Sequence, residues 1–308
     1  MRPPPSPRRL RPVAVVALAA CVGASPPSAI AEGAVCELEA GPRGTVARVL
    51  DGETLVLDDG NEVRLVGALA PRAMDAAREV PAWPAEAAAA AALSELVLGR
   101  AFSGRRSDRY GRLLAHVFVE RDGGRSWVQG ELLRRGHARA YGLPQSSACL
   151  SELIQHEAVA RRARLGLWSE PVYAERAAYR TRELMRARGT YQLVTGRVAR
   201  VETVGGRTYL NFGADWRADF TAGIGPAALR ADAAWAEAVQ AMAGRSVRVR
   251  GWIERRNGPY IEVMDPRQIE LLDPTEPRSS GLMRYGLGSG RAGASPLEQG
   301  LTPRAADH

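Results

Sequence analysis

Short β-branched runs separated by tight-turn sequences dominate the first part of the chain, and they limit its possible folds more than any other feature. The first turn is Asp51-Gly52 and the second is the DDGN sequence at 58–61. Asp-Gly steps between short apolar runs are typical of antiparallel hairpins. The three predicted strands are Thr45–Leu50, Thr54–Leu57 and Glu62–Val66.

The segments after these strands predict a small barrel closed by helices. An Ala-rich helix, PAEAAAAAALSELVL, ends near Gly99, a residue type that commonly stops helices. Two strands follow, Leu113–Glu120 and a short one near Ser126–Trp127, and then two segments with helical spacing, Val128–Arg135 and Leu150–Arg164. Three strands, a helix, two strands and closing helices indicate a β-barrel capped by α-helices.

The second half of the chain repeats this order. Its predicted elements are three strands, Tyr191–Glu202, Arg207–Phe212 and Asp219–Ile224, an Ala-rich helix, Ala227–Ala243, and two or three strands in SVRVRGWIERRNGPYIEVMDPRQIELL. Five strands with a helix after the third is the order of the OB-fold, a partly open barrel often used for oligonucleotides. The predicted fold is therefore mainly β with capping helices, as two OB-like barrels.

Composition shifts divide the chain into five parts. We predict a leader at 1–31, a first barrel domain at 36–170, a helical connector at 171–189, a second barrel at 190–273 and a disordered tail at 274–308. The connector contains five Arg and two Glu between Val172 and Arg188, which makes it basic. The tail is rich in Gly, Ser and Pro.

The leader predicts export from the cytoplasm. It has a basic start, a short apolar run from Val13 to Ala20 and a small-residue end, and the run is too short to span a bilayer. Two processing sites compete: Ala29-Ile30-Ala31 suits a signal peptidase, while LAAC at Cys21 resembles a lipobox. Under either, we expect a periplasmic or secreted protein, which reaches a membrane only through a lipid on Cys21.

Export also changes how the cysteines are interpreted. Cys36 and Cys149 lie at the two ends of the first predicted domain. In an oxidising compartment such a pair is expected to form a structural disulfide, with two free thiols as the alternative.

The overall charge does not by itself indicate a polyanionic partner. The formal net charge is +8, and the leader contains four Arg and no acidic residue, so processing leaves +4. Residues 37–170 contain 18 Arg and 18 Asp or Glu. A nucleic-acid partner would therefore need a local basic patch.

Five motifs of the first domain occur in the order of a known family. They are VLDGETLVL, VRLVGALAP, SDRYGRLLAHVF, VQGELLRRGHARAY and EAVARRARLGLWS. On these motifs, residues 37–170 resemble the thermonuclease, or staphylococcal nuclease-like, family, whose core is an OB barrel. The second predicted barrel is similar to a C-terminal OB module found after such domains.

The resemblance implies calcium-dependent cleavage of phosphodiester bonds. In active members two acids bind one Ca²⁺, a Glu activates the attacking water and two Arg neutralise the phosphate, which is how a hard cation and paired guanidinium groups stabilise developing charge. Arg64 and Arg112 match the two phosphate arginines. Tyr110 and Tyr141 match the nucleotide-contacting tyrosines, and Arg109 lies beside Tyr110 in a basic run.

The metal and base positions depart from the family's pattern. Glu53 stands where the first Asp ligand is expected, and it remains a weak metal candidate. Leu69 occupies the second ligand position, where an alkyl chain cannot coordinate a metal. Arg72 occupies the general-base position and carries a permanent positive charge, so it is not a base. The four histidines show no metal-ligand spacing.

Three functions remain open on these residues. We favour a degenerate thermonuclease-like module that binds nucleic acid or another anion without calcium. The alternatives are an active secreted calcium-dependent nuclease with unrecognised ligands, among which Asp75 is a candidate, and a structural or protein-interaction module of the cell envelope. In the second barrel, one aromatic cluster suits either the core or a base-stacking platform; it comprises Tyr209, Phe212, Trp216 and Phe220.

Overall fold

The described part of the chain lies within one compact unit, Ala40–His308. We call its described residues up to 170 the first module and those from 171 the second module. No described helix is long and apolar enough to cross a membrane. The computed structural model describes residues 43–72, 85–103, 113–121, 124–142 and 149–272.

The first module consists of nine short strands and three α-helices, where five strands and three helices were predicted. The strands are β1 (Arg43–Asp51), β2 (Thr54–Leu57), β3 (Glu62–Leu65), β4 (Ala68–Leu69), β5 (Ala101–Ser103), β6 (Leu113–Ala115), β7 (Phe118–Arg121), β8 (Gly124–Trp127) and β9 (Arg139–Ala140). The helices are α1 (Glu86–Val97), α2 (Val128–Arg134) and α3 (Leu150–Ala163).

Seven strands form one sheet, in the order β6-β3-β2-β1-β5-β7-β8. β1 pairs with β5 through its first residues and with β2 through the rest, with register shifts along the way, so this strand bends the sheet. β4 and β9 form a separate antiparallel pair. The predicted hairpins and the Ala-rich helix are confirmed, because their turn and capping residues act locally.

The strand predicted over Leu113–Glu120 is divided. β6 runs parallel to β3, whereas β7 runs antiparallel to β5. Between them the N–H of Val117 donates to the side chain of Gln129 at 2.9 Å. The single-strand prediction was wrong because the segment changes its pairing partner at this point.

The second module contains nine strands and three helices. The strands are β10 (Arg176–Ala177), β11 (Tyr191–Arg197), β12 (Arg200–Val204), β13 (Arg207–Asn211), β14 (Thr221–Ile224), β15 (Ser246–Trp252), β16 (Glu254–Arg256), β17 (Gly258–Val263) and β18 (Ile269–Leu271). The helices are α4 (Thr181–Arg186), α5 (Pro226–Ala231) and α6 (Ala233–Gln240).

Two sheets pack around the apolar core of this module. Their strand orders are β10-β11-β15-β18 and β12-β13-β14-β17-β16. β11 pairs antiparallel with β15, and β14 pairs parallel with β17. Leu210, Phe220 and Ile261 are fully buried in the core, together with Val239 of α6. The whole described structure is therefore mainly β with few helices, as predicted.

The prediction of a helical connector was wrong for most of its length. Arg176–Ala177 pairs in parallel with Val194 and Thr195 of β11, and only Thr181–Arg186 is an α-helix. Backbone pairing with β11 outweighs the helical spacing of residues 172–188. The connector is therefore part of the sheet of the second module.

The Ala-rich helix predicted over Ala227–Ala243 is broken into α5 and α6. Asp232 has an extended backbone, and its side chain accepts a hydrogen bond from the N–H of Trp235 at 2.9 Å. An Asp in this arrangement is a strong N-cap, so it starts a new helix inside the Ala-rich segment.

Candidate functional site

The turn between β1 and β2 directs the side chain of Glu53 into the first module. The Asp51 carboxylate accepts a hydrogen bond from the N–H of Glu53 at 2.8 Å, which fixes the turn. Gly52 is needed there, because a Cβ atom would lie 2.7 Å from the Cβ atoms of both Ala70 and Ala89. Only 1% of Glu53 is exposed.

The carboxylate of Glu53 is held by two arginines and one backbone amide. Its Oε1 atom lies 2.6 Å from a guanidinium nitrogen of Arg64 and also accepts a hydrogen bond from Arg72. Its Oε2 atom accepts from the N–H of Ala70 at 3.1 Å. Burial raises the pKa of Glu53, and the two arginines offset part of that effect.

Asp51 adds a second negative charge to this group. Its carboxylate lies 3.7 Å from Arg72, so the two acids and two arginines in contact are formally neutral together. The side chains of Arg64 and Arg72 remain 26% and 29% exposed. Each guanidinium has five N–H donors, and donors not used by Glu53 can face a ligand.

Leu69 lies in an apolar cluster that joins the two modules. It is 4% exposed, and it pairs with Arg139 across the β4–β9 ladder. The second module contributes Tyr191 and Leu193 to this cluster. The buried members are Leu69, Ala160, Leu167, Trp168, Tyr173, Tyr191 and Leu193. The position that would hold a second metal ligand is therefore a packing position.

These residues do not fit a calcium ion. Ca²⁺ prefers six to eight oxygen ligands, but here the Glu53 carboxylate is already neutralised by Arg64 and Arg72, and Leu69 offers none. Across the described ranges, no group of three or more His, Cys, Asp and Glu side chains is placed to hold a metal ion. The guanidinium groups of Arg64 and Arg72 therefore supply the positive charge at Glu53 that a metal ion would otherwise supply.

Several predicted site residues lie outside the described residues. They are Cys36, Asp75, Arg109, Tyr110 and Arg112. Cys149 is buried at the start of α3, and its predicted bridge to Cys36 stays a prediction. So does the role of Arg112 as a phosphate contact.

Tyr141 lies next to β4 and contacts the second module. Its N–H donates to the carbonyl of Gly67 at 3.0 Å, and its ring lies 5.4 Å from that of Tyr191, edge to face. The Tyr191 ring lies 5.8 Å from that of Trp252 in a similar arrangement. Tyr191 is buried, whereas Tyr141 and Trp252 are partly exposed.

A buried network of charges that the sequence did not indicate joins the modules. Glu157 of α3 and Arg250 of β15 are both fully buried and lie 3.0 Å apart. Arg250 also contacts Glu270 and donates to the Ala140 carbonyl at 3.2 Å. The remaining members are Arg161, Glu175 and Arg248. The two residues of each ion pair across the modules never lie in the same motif, so no sequence signal indicated that they would meet.

The aromatic cluster predicted in the second module is divided between core and surface. Phe220 is fully buried and Phe212 packs against the same core, which confirms the core interpretation for these two. Tyr209 is partly exposed. Trp216 is 43% exposed, with the Arg217 guanidinium 4.5 Å from its ring centroid.

Comparison with known families supports the sequence-based resemblance for the first module. Residues 62–170 match the family model described as Staphylococcal nuclease homologue, and a comparison with curated proteins finds no match. The chain therefore contains a thermonuclease-like domain. The match includes Arg64, Leu69 and Arg72, while Glu53 precedes it. Domains of this family generally bind nucleic acids and generally depend on calcium.

Proposed function

We propose that this chain is an exported thermonuclease-like protein that has lost calcium-dependent catalysis and binds single-stranded nucleic acid or a similar polyanion. The observation that carries the proposal is the carboxylate of Glu53, which is held by Arg64 and Arg72. Glu53 is the only acid at the expected ligand positions, and two arginines already neutralise its charge. One of these arginines, Arg72, stands where a base is expected.

Loss of the second ligand supports the same conclusion. Leu69 cannot coordinate a metal, and its apolar surroundings would make a carboxylate there costly. Removal of a general base alone usually lowers the rate by about 10²–10⁴-fold. Removal of a direct metal ligand as well leaves little phosphodiesterase activity.

Binding would depend on the arginines that remain accessible. Arg64 and Arg72 are partly exposed and can each contact a phosphate while holding Glu53. The connector adds exposed arginines at positions 180, 182, 186 and 188. Exposed arginines favour a phosphate backbone over a neutral partner.

We infer that the second module is an OB-like barrel. The pairings that support this inference are parallel between β14 and β17 and antiparallel between β11 and β15. We infer that this barrel fixes the thermonuclease-like domain, and we assign it no separate activity.

One assay on the chain without its leader separates the proposed function from both alternatives. Fluorescein-labelled oligothymidylate is titrated with protein at several salt concentrations, and cleavage is followed in Ca²⁺ and in EDTA. We expect binding that weakens with salt, no calcium-dependent cleavage, and weaker binding by Arg64→Ala with a salt slope smaller by about one.

The matched control is Arg48→Ala, which removes an exposed arginine from β1 of the same module and should leave binding unchanged. Calcium-dependent cleavage that Arg64→Ala abolishes would show an active nuclease. Absence of binding at low salt would favour a structural module instead.

A further inference from the structure

We propose that the nucleic-acid-binding surface of the thermonuclease-like domain continues onto the second module, where Trp252 provides an additional base-stacking ring. This inference rests on the proposed function. It assigns a binding residue to a part of the chain that lies outside the matched domain.

The first observation is a continuous row of three aromatic rings across the module boundary. Tyr141, Tyr191 and Trp252 follow one another at centroid distances of 5.4 and 5.8 Å. Tyr141 matches a nucleotide-contacting position, so the row begins at the expected binding surface. Packing between the modules accounts for the buried central ring. Both end rings pack against the same apolar cluster between the modules, and each keeps a partly exposed surface that a ligand can contact.

The second observation is that hydrogen bonds hold the row in place. The Tyr191 hydroxyl donates to the carbonyl of Ala140 at 3.0 Å, and the side chain of Arg139 donates to the backbone carbonyl of Tyr191. Trp252 faces Tyr191 in the β11–β15 register. The rings are therefore already arranged before a ligand binds, which lowers the entropy cost of binding.

The third observation is that the modules cannot turn freely about this row. Glu157 and Arg250 form a fully buried ion pair between them, and Arg250 donates to Ala140, next to Tyr141. Separating the modules would break this buried pair, leaving Glu157 with Arg161 and Arg250 with Glu270 as their remaining partners. The position of Trp252 beside Tyr141 and Tyr191 is thus fixed.

The chemistry of the surface selects single-stranded nucleic acid. Arg64 and Arg72 hold Glu53, which accepts a hydrogen bond from Ala70 just after β4, and Tyr141 donates to Gly67 just before β4. Cations for phosphates and the first ring for bases therefore lie at the two ends of the same short strand. Stacking on aromatic side chains accepts any base and requires unpaired bases. The paired bases of a duplex are already stacked on one another and are not free to stack on the rings.

The test uses the same oligothymidylate titration with three variants of the second module. Trp252→Ala should weaken binding by about 5- to 150-fold, as expected for loss of one stacked base, whereas Trp252→Phe should retain most of the affinity. Trp216→Ala tests the competing position, because Trp216 is exposed in the same module and belongs to the cluster that suits a stacking platform, but is not part of the row. We expect it to bind as the wild type does.

Tryptophan fluorescence gives a second readout that does not need the alanine variant to fold. Oligothymidylate should quench the wild-type protein, and Trp252→Phe should lose most of this quenching while still binding. Equal quenching in both proteins, or unchanged binding by a folded Trp252→Ala variant, would overturn the inference.

Outcomes for the inference and for the proposed function can be distinguished. If Arg64→Ala weakens binding but no Trp252 variant affects binding or quenching, the inference alone fails. If the wild-type protein does not bind oligothymidylate, both fail. A loss with Trp216→Ala that equals or exceeds the loss with Trp252→Ala would place the stacking site elsewhere on the second module.

Discussion

The guanidinium of Arg72 donates a hydrogen bond to the buried carboxylate of Glu53. By the family resemblance, Arg72 stands at the general-base position and Glu53 at a metal-ligand position, so the contact joins two positions that the resemblance marks as catalytic. A permanent cation on that carboxylate competes with any metal ion, because both need the same oxygen atom. The site is therefore stabilised by charges belonging to the chain itself.

Replacement of Arg72 by Ala should destabilise the protein in a pH-dependent way. Glu53 would keep Arg64 alone, and we expect a loss of about 1–2 kcal/mol in the free energy of unfolding at pH 7. Loss of Arg72 should raise the pKa of Glu53 further. Since the protonated acid does not need an ion pair, the loss should shrink as pH falls through that pKa.

Urea denaturation at pH 7 and pH 4.5 measures this effect for wild type, Arg72→Ala and the control Arg48→Ala. The control removes an exposed arginine and should change stability by less than about 0.5 kcal/mol. A loss for Arg72→Ala that is the same at both pH values would contradict the coupling to Glu53.

Replacement of Leu69 by Asp should not restore a metal site. The carboxylate would enter the apolar cluster between the modules, and we expect a loss of about 3 kcal/mol or more in unfolding free energy. Leu69→Met, which keeps the volume and polarity, should cost less than about 1.5 kcal/mol. Thermal unfolding with Ca²⁺ and with EDTA is the measurement, and a Leu69→Asp protein that Ca²⁺ stabilises would refute the expectation.

Breaking the ion pair of Glu157 and Arg250 should strongly destabilise the junction of the modules. Both side chains are fully buried, and removal of one partner from such a pair costs about 3–5 kcal/mol. The loss of unfolding free energy for Arg250→Met should lie at the lower end of this range, because Glu157 keeps Arg161 at 2.7 Å. Urea denaturation of Glu157→Gln, Arg250→Met and the double variant should show losses that are clearly less than additive.

The exposed pair Arg180 and Glu183, 3.1 Å apart, provides the comparison for that experiment. Arg180→Met should leave stability nearly unchanged, since solvent screens such pairs. Additive losses at Glu157 and Arg250 would mean that their contact contributes nothing across the modules.

His116 should make the fold sensitive to mild acid. Burial lowers the pKa of His116 to about 4, and its Nδ1 atom has no hydrogen-bond partner in the described part of the chain. The unfolded chain takes up a proton near pH 6.5 and the folded chain does not. Stability is therefore complete above pH 6.5 and falls as pH decreases toward 4, by about 2 kcal/mol at pH 5.

The checking measurement is urea denaturation at pH 7.5 and pH 5 for wild type and His116→Leu. The variant lacks the titrating group, so it should lose less stability between these pH values by about 2 kcal/mol. Equal losses in the two proteins would show that other groups cause the acid sensitivity.

The sequence by itself determined the features that depend on local chemistry. Asp51 and Gly52 fix the first turn, and the Ala-rich helix α1 begins and ends near its predicted bounds. The positions of Arg64, Leu69 and Arg72 in the family motif were also assigned from the sequence, because such a motif consists of residues that are neighbours along the chain. The connector and the strand predicted over Leu113–Glu120 were misjudged where pairing with distant strands decided the structure.

Only the tertiary structure decided what surrounds those positions. Leu69 is a residue of a cluster shared with Tyr191 and Leu193 of the second module, and Glu157 meets Arg250 across 93 positions of sequence. Such contacts depend on how the two modules pack, and no local propensity or periodicity contains that information. The presence of Leu69 at the expected ligand position is therefore visible in the sequence, whereas its packing against the second module is visible only in the folded chain.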